Sequence, residues 1–360
     1  MSLNTPASCG SCGMHECQFN IEKEFSRINS EHSAWLLDKP SLEFSAYLSY
    51  MIAGDDLVFL PLRRKPLNNN LRDWHIPNTC ALIQSPITML RRSIALRLSV
   101  RYGSGRRQHI IEDFDQRIAA IYATKLPFTV KKLIVWQNFL PFLQLDKTLG
   151  GRKYDVLLWR APRHVLQPML DQAKALYPES TTLQDFRSHA RIVEAERIAL
   201  ENAEKIITPH PKLAQLYADK SLLLPWVWPS EASQERGNRI AFLGPTLGRK
   251  GAYVVREAVR KLGLPIIVIG KNLEQENFWQ GISIEQRNIG PGCFDSVGLL
   301  LAPALAEYNP SSLMNALMQN ITVLATGWCG LGPVNNLHFV DPFDASALAE
   351  KILSLLPDDS

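Results

Sequence analysis

Short apolar runs punctuate the chain: Leu57-Val58-Phe59-Leu60, Leu133-Ile134-Val135-Trp136 and Val156-Leu157-Leu158-Trp159. Their length and their β-branched and aromatic content predict buried strands, because a strand covered on both faces reads as a continuous apolar run. From about Thr182 to Asn202 the period changes. Ile192, Ala195, Ala199 and Asn202 alternate there with Arg191, Glu194, Glu196, Arg197 and Glu201, which predicts an amphipathic helix. Strand and helix alternating in this way predict parallel sheets with helices on both faces, a doubly wound α/β fold.

The stretch Pro225 to Asn238, with Trp226, Trp228 and Pro229 followed by a polar run, has the composition of a domain boundary. Beyond it the pattern resumes. Arg239 to Gly244 predicts a strand, Pro245 to Gly251 a glycine-bounded loop, and Val254, Val255, Ala258, Val259 and Leu262 a helix. Further strands are predicted at Leu264 to Gly270, around Gly298 to Leu301 and at Ile321 to Ala325, with helices at about Ser311 to Gln319 and, opened by Asp344, to Leu356. The expected organisation is an appendage at residues 1–30, a first Rossmann-like domain at 31–228 and a second at 239–357.

Length agrees: 360 residues at roughly 150 per domain suggest two domains. The longest uncharged apolar run, Val297 to Ala306, is far short of a bilayer span, and the first residues lack the apolar stretch of a signal peptide, so a cytoplasmic protein is expected. A net charge of +4 is too small to argue for wholesale nucleic-acid binding. Any basic docking site must therefore be local. Six Cys in such a chain are expected as thiols.

The loop Gly244-Pro245-Thr246-Leu247-Gly248-Arg249-Lys250-Gly251 lies between a strand and a helix N-terminus, where unpaired N–H groups and the helix dipole favour phosphate. Downstream, Leu300 to Thr326 combines a strand, Pro303, Glu307, a helix and the run Ala316-Leu-Met-Gln-Asn-Ile-Thr-Val-Leu-Ala-Thr326. On these residues, and on the ending His338-Phe-Val-Asp-Pro-Phe-Asp344, the second half resembles the retaining glycosyltransferases of family 4, nucleotide-sugar enzymes of the GT-B fold. The resemblance spans roughly Arg239 to Leu356, with a fainter echo at Glu204 to Leu216. It implies two Rossmann-like domains with a cleft between them and a donor held by Gly244, Gly248, Arg249, Lys250 and Gly251. Lys250 would offset the charge of the departing diphosphate. Glu307 would contact the sugar hydroxyls, and Asn315, standing where the family has a second Glu, the ribose. Pro245 replaces the family's first loop Arg, and no opening strand with its glycine-rich acceptor loop is evident before Leu57.

In the first half, His164 and His210 follow apolar runs, and a His at the carboxyl end of a parallel strand points into the sheet's crevice. His164 is taken as a candidate catalytic residue beside Glu307 and Lys250. Residues 89–107 carry six Arg and no acid, with Leu90, Ile94 and Leu98 at helical spacing. Such a stretch suits an anionic membrane surface or a protein partner, or is a core-facing helix with a solvated basic side. With Tyr102 as its single aromatic residue it argues against nucleic acid. Near the start, Cys9, Cys12, His15 and Cys17 fall within nine residues, a spacing that fits a tetrahedral zinc site or three-Cys ligation of an iron–sulfur cluster.

Two functions follow as expectations. One is a retaining glycosyltransferase that moves a sugar from a nucleotide-sugar donor to an acceptor, in the cytoplasm or peripherally on the inner face of a membrane. The other is a non-catalytic GT-B-like protein that binds a partner or a metal within a larger pathway or complex.

Overall fold

A computed structural model describes residues 33–62, 74–98, 104–229 and 237–356. The chain divides into two compact units. The first takes residues up to Trp159 with Ser188–Pro209 and Tyr217–Trp226. Its sheet has seven parallel strands: β1 (Ser33–Leu36), β2 (Leu57–Leu60), β3 (Ala81–Gln84), β4 (Lys132–Trp136), β5 (Lys153–Leu157), β6 (Lys205–Thr208) and β7 (Ser221–Leu223), in the order β3-β2-β1-β4-β5-β6-β7. The expected strands at Leu57 and Leu133 are present, and the third lies three residues earlier than the apolar run suggests.

An opening strand does exist, against the expectation that none precedes Leu57. It is β1, inside the sheet, paired with β2 and β4. Four residues are too few to show a period, and the strand is held by its neighbours and by Asp56, which accepts from Ser33 N at 3.0 Å and Trp35 Nε1 at 2.8 Å. After it comes Asp38-Lys-Pro-Ser41 in place of a glycine-rich loop, and Ser41 caps helix α1 (Leu42–Met51) by accepting from Phe44 N. Helices α2 (Pro86–Leu98), α3 (Ser104–Lys125) and α4 (Leu140–Leu145) follow β3 and β4. Ile118 and Tyr122 of α3 are fully buried.

The second unit comprises Arg160–Arg187, His210–Leu216 and the residues from Val227 on. Its six parallel strands are β8 (Arg239–Leu243), β9 (Ile266–Ile269), β10 (Ile284–Arg287), β11 (Val297–Ala302), β12 (Thr322–Ala325) and β13 (Leu337–Phe339), in the order β10-β9-β8-β11-β12-β13. That is the strand order of a dinucleotide-binding domain, in which the chain reverses direction across the sheet between its first and fourth strands. Here the reversal falls between β8 and β11.

Helix α5 (Arg163–Leu176) leaves β5 of the first sheet but belongs to the second unit, where Leu166, Leu170 and Ala173 enter the core and Tyr177 stacks on Tyr253 at 4.7 Å. The helix expected from Thr182 begins only at α6 (Ala190–Glu201), capped by His189. The cause lies in the side chains before it. Ser180 and Thr182 bond Glu274 instead of continuing a helix, and Leu183 is buried in the second core. Helix α7 (Pro211–Leu216) follows β6. In the second sheet α8 (Ala252–Leu262) follows β8, α9 (Ser311–Met318) follows β11, and α10 (Ala345–Leu355) closes the chain, with Asp344 accepting from Ala347 N at 2.8 Å as the sequence predicts. No described helix is long and apolar enough to cross a membrane.

Candidate functional site

Most amides of the loop after β8 are already used. Gly244 N donates to Ile269 O, Thr246 N to Lys271 O, Lys250 N to Leu247 O and Gly251 N to Gly248 O, all at 2.8–3.0 Å. Gly248 N donates to Thr182 Oγ1 at 2.9 Å and to Glu274 Oε1 at 3.0 Å. The Gly244–Pro245 bond is cis. Gly251 is required by its backbone: φ is +79°, and a Cβ there would lie 2.2 Å from Pro303 O. The loop thus presses directly on the segment that follows β11.

That segment carries Glu307. Leu305 N donates to Arg249 O at 2.9 Å, and Arg249 Nη1 donates to Ala306 O at 2.8 Å. The Arg249 guanidinium is buried between the Phe186 and Tyr308 rings, at 4.6 and 5.0 Å from their centroids. It therefore braces the loop after β11 from beneath. One residue on, Glu307 accepts from Tyr308 N at 2.9 Å through Oε1 and pairs with Lys250 Nζ through Oε2. Both side chains are mostly buried, at 14% and 15% exposure. Burial raises the carboxyl pKa, but Lys250 and Arg249 outweigh it and hold Glu307 below the usual carboxylate range. The result is an ionised acid and a fixed cation at the reversal point of the sheet.

At the carboxyl ends of β8 and β9 is a cleft of about 530 Å³, whose lining includes neither Lys250 nor Glu307. Leu243 and Ile269 form its floor, the turn Ile289 to Asp295 one wall, and Ser312, Asn315 and Gln319 the other. The last three recur along one face of α9, which explains why Asn315 is exposed while Leu313, Met314 and Ala316 are buried. A cleft outside the strand ends at the reversal point is where open α/β sheets bind ligands.

The predicted residues therefore separate. Lys250 and Glu307 meet, Asn315 lines the cleft at the ends of β8 and β9, and Gly244, Gly248 and Gly251 shape the loop. Arg249 supports it from the buried side. His164 is half-buried in the first turn of α5.

His210 has a clearer place: it is buried, and its ring hydrogen-bonds the main chain at Trp328 and Glu307. Burial, outweighing those bonds, pushes its pKa down to about 4, so the neutral ring clasps the loop that holds the acid. Its position at the end of β6 is the signal the sequence offers. Glu274, which anchors Ser180, Thr181, Thr182 and Gly248, had none.

Cys9, Cys12, His15 and Cys17 lie outside the described residues. Among the described residues no group of His, Cys, Asp and Glu could hold a metal ion. Of residues 89–107, the described part reverses one expectation. Arg92 is buried in ion pairs with Asp38 and Asp115, while Leu90, Ile94 and Leu98 are exposed.

Fold and site together define a two-unit α/β protein whose second sheet has dinucleotide-domain order and an ion pair at its reversal point. No protein-family profile and no curated protein matches the chain. Among solved structures it is similar to HepE from Anabaena in complex with UDP and glucose, at 13% identity, covering 91% of this chain and 90% of that one, with a TM-score of 0.45. A glycosyltransferase from Rickettsia africae is similar at 12% identity over 91% and 88% of the two chains, TM-score 0.42. A UGT transferase from Siraitia grosvenorii in complex with UDP is similar at 10% identity over 83% and 81%, TM-score 0.42.

Proposed function

We propose that the protein is a GT-B glycosyltransferase of the retaining, family-4 type, whose second unit holds a nucleotide-sugar donor. The observation that carries this reading is the Lys250–Glu307 pair at the reversal point of the second sheet, together with a cleft lined by Asn315 at the carboxyl ends of β8 and β9. In this reading the nucleoside occupies the cleft, with Asn315 accepting from the ribose hydroxyls. Lys250 exchanges Glu307 for the donor diphosphate and stabilises the charge that grows on it as the glycosidic bond to phosphate breaks. Glu307, ionised and released, accepts from hydroxyls of the sugar, and the acceptor hydroxyl takes the glycosyl group while its proton passes to the departing diphosphate. Because the amides of Gly244, Thr246, Gly248, Lys250 and Gly251 already have protein acceptors, neutralisation of the diphosphate rests mainly on Lys250 rather than on a backbone cradle.

That same occupied loop favours the second reading, a GT-B-like protein without transferase chemistry. Calorimetry of the full chain against UDP, GDP, ADP and their common sugars separates the two. Saturable micromolar binding of one nucleotide is expected, weakened at least tenfold by Lys250→Gln and strengthened by Asn315→Glu. Folded protein that binds none of them at millimolar concentration overturns the transferase reading.

A further inference from the structure

Helix α2 presents its apolar side to solvent. Ile87, Leu90, Ile94 and Leu98 are 68%, 63%, 49% and 67% exposed. At about 100° per residue they fall within an arc of roughly 80°. Arg91 and Arg97, both exposed, flank that arc, each roughly 60° from its centre on opposite sides. Arg92 points the other way, roughly 160° from the centre. Its two buried ion pairs, to Asp38 after β1 at 3.4 Å and to Asp115 of α3 at 3.3 Å, fix the rotation of the helix. The apolar stripe is consequently held outward by the core itself. Leu62, after β2, is exposed as well, and Ser85 N donates to Pro61 O where the chain enters the helix. The helix carries three Arg and no acid.

We propose that this face of α2 docks the protein on an anionic lipid membrane. Four apolar side chains in one stripe, bordered on both sides by guanidinium groups, match the interface of such a bilayer: the stripe enters the acyl boundary while Arg91 and Arg97 meet the headgroup phosphates. A protein partner with an apolar groove would leave the two flanking cations without complementary charge unless its rim were acidic. A second copy of the chain would set Arg91 and Arg97 against their own kind across a two-fold axis. The charge pattern therefore selects the lipid surface. The docking does not depend on the proposed donor site, and it is tested without nucleotide.

The test is flotation of the full chain with vesicles of phosphatidylcholine alone and with 30 mol% phosphatidylglycerol (about a third anionic). Binding to the anionic vesicles, at least tenfold weaker to the neutral ones and weakened by salt, is expected. Leu90→Glu with Ile94→Glu should lower binding at least tenfold, and Arg91→Gln with Arg97→Gln severalfold. All four positions are exposed, so circular dichroism and the melting temperature should stay at parental values. Parental flotation by the Leu90/Ile94 variant overturns the proposal, because binding then comes from elsewhere in the chain. So does an absence of flotation together with a concentration-dependent dimer that the same variant abolishes, which would make the face an interface between copies.

Discussion

Lys250 and Glu307, 57 residues apart in sequence, form an ion pair that joins the loop after β8 to the loop after β11 at the point where the strand order of the second sheet reverses. The pair is mostly buried, so its cation matters for stability as well as for binding. Glu307 is held below the usual carboxylate pKa even though burial pushes the other way. Its contribution is therefore complete above the ordinary carboxylate pKa and is lost as pH falls through the lower, folded value. Lys250→Met leaves the acid buried without its main partner and should cost about 3 kcal/mol at pH 7. With burial then dominant, the acid takes up a proton more readily, so the stability gap between the variant and the parent should narrow as pH falls toward 3. Urea unfolding at several pH values reads this directly. A gap that is constant with pH would show that Lys250 acts through packing alone.

The position of that pair was only half legible in the sequence. The family resemblance alone assigns Lys250 and Glu307 to the donor, yet their contact depends on Arg249 and Gly251 bringing the two loops together. Strands such as β8 and β9 were readable because four consecutive buried positions in each leave an unbroken apolar run. β10 was not, since Glu285, Gln286 and Arg287 on a sheet edge give no apolar signal. Helix α5 illustrates a different limit: which core a helix joins is decided by partners such as Tyr253 against Tyr177, and periodicity does not name the partner. In α2 the spacing of Leu90, Ile94 and Leu98 was correct, but burial of Arg92 turned the stripe outward.

His210 supplies a pH dependence of its own. Its folded pKa of about 4 is below the ordinary value of 6.5, chiefly through burial. The unfolded chain therefore takes up the proton first, and stability that is complete above 6.5 declines as pH falls toward 4, by about 3 kcal/mol. Asp185 opposes this over part of the range, because burial and then Glu274 push its pKa to about 6, against Arg249, so it favours the fold as pH falls. The difference between parent and His210→Gln removes the Asp185 contribution. That variant should be less stable at pH 7 and lose less on going to pH 4. Melting curves with parallel slopes for the two proteins would exclude the neutral, buried ring.

Gly251 and Gly263 form a matched pair for testing the loop. Both have positive φ, +79° and +65°, but a Cβ at Gly263 meets nothing within 4 Å, whereas at Gly251 it meets Pro303 O at 2.2 Å. Gly263→Ala should cost about 1 kcal/mol, the penalty of the left-handed conformation. Gly251→Ala should cost at least ~2 kcal/mol, because Pro303 must also retreat. Moving Pro303 moves Glu307 as well. Equal urea midpoints for the two variants would mean that the loops do not press on one another.

Arg92 is the counterpart of Lys250 in the first unit, and it is more deeply placed: its side chain is 5% exposed, those of Asp38 and Asp115 3% and 2%. Asp38 follows β1 and Asp115 lies in α3, so one guanidinium ties the end of β1, the long helix and α2 together. Arg92→Met leaves two buried carboxylates facing each other without their cation, and a loss of 3–5 kcal/mol, of the order of the whole stability of many domains, is expected. The variant is paired with Arg92→Met/Asp38→Asn/Asp115→Asn, in which no charge is stranded, so that a loss of folding in the first is still interpretable. Because a buried ionic triad gains little over neutral groups of similar size, the triple variant should recover most of the loss. If it is as unstable as Arg92→Met, the side chain matters for its shape and hydrogen bonds, and the electrostatic account of how α2 is oriented fails.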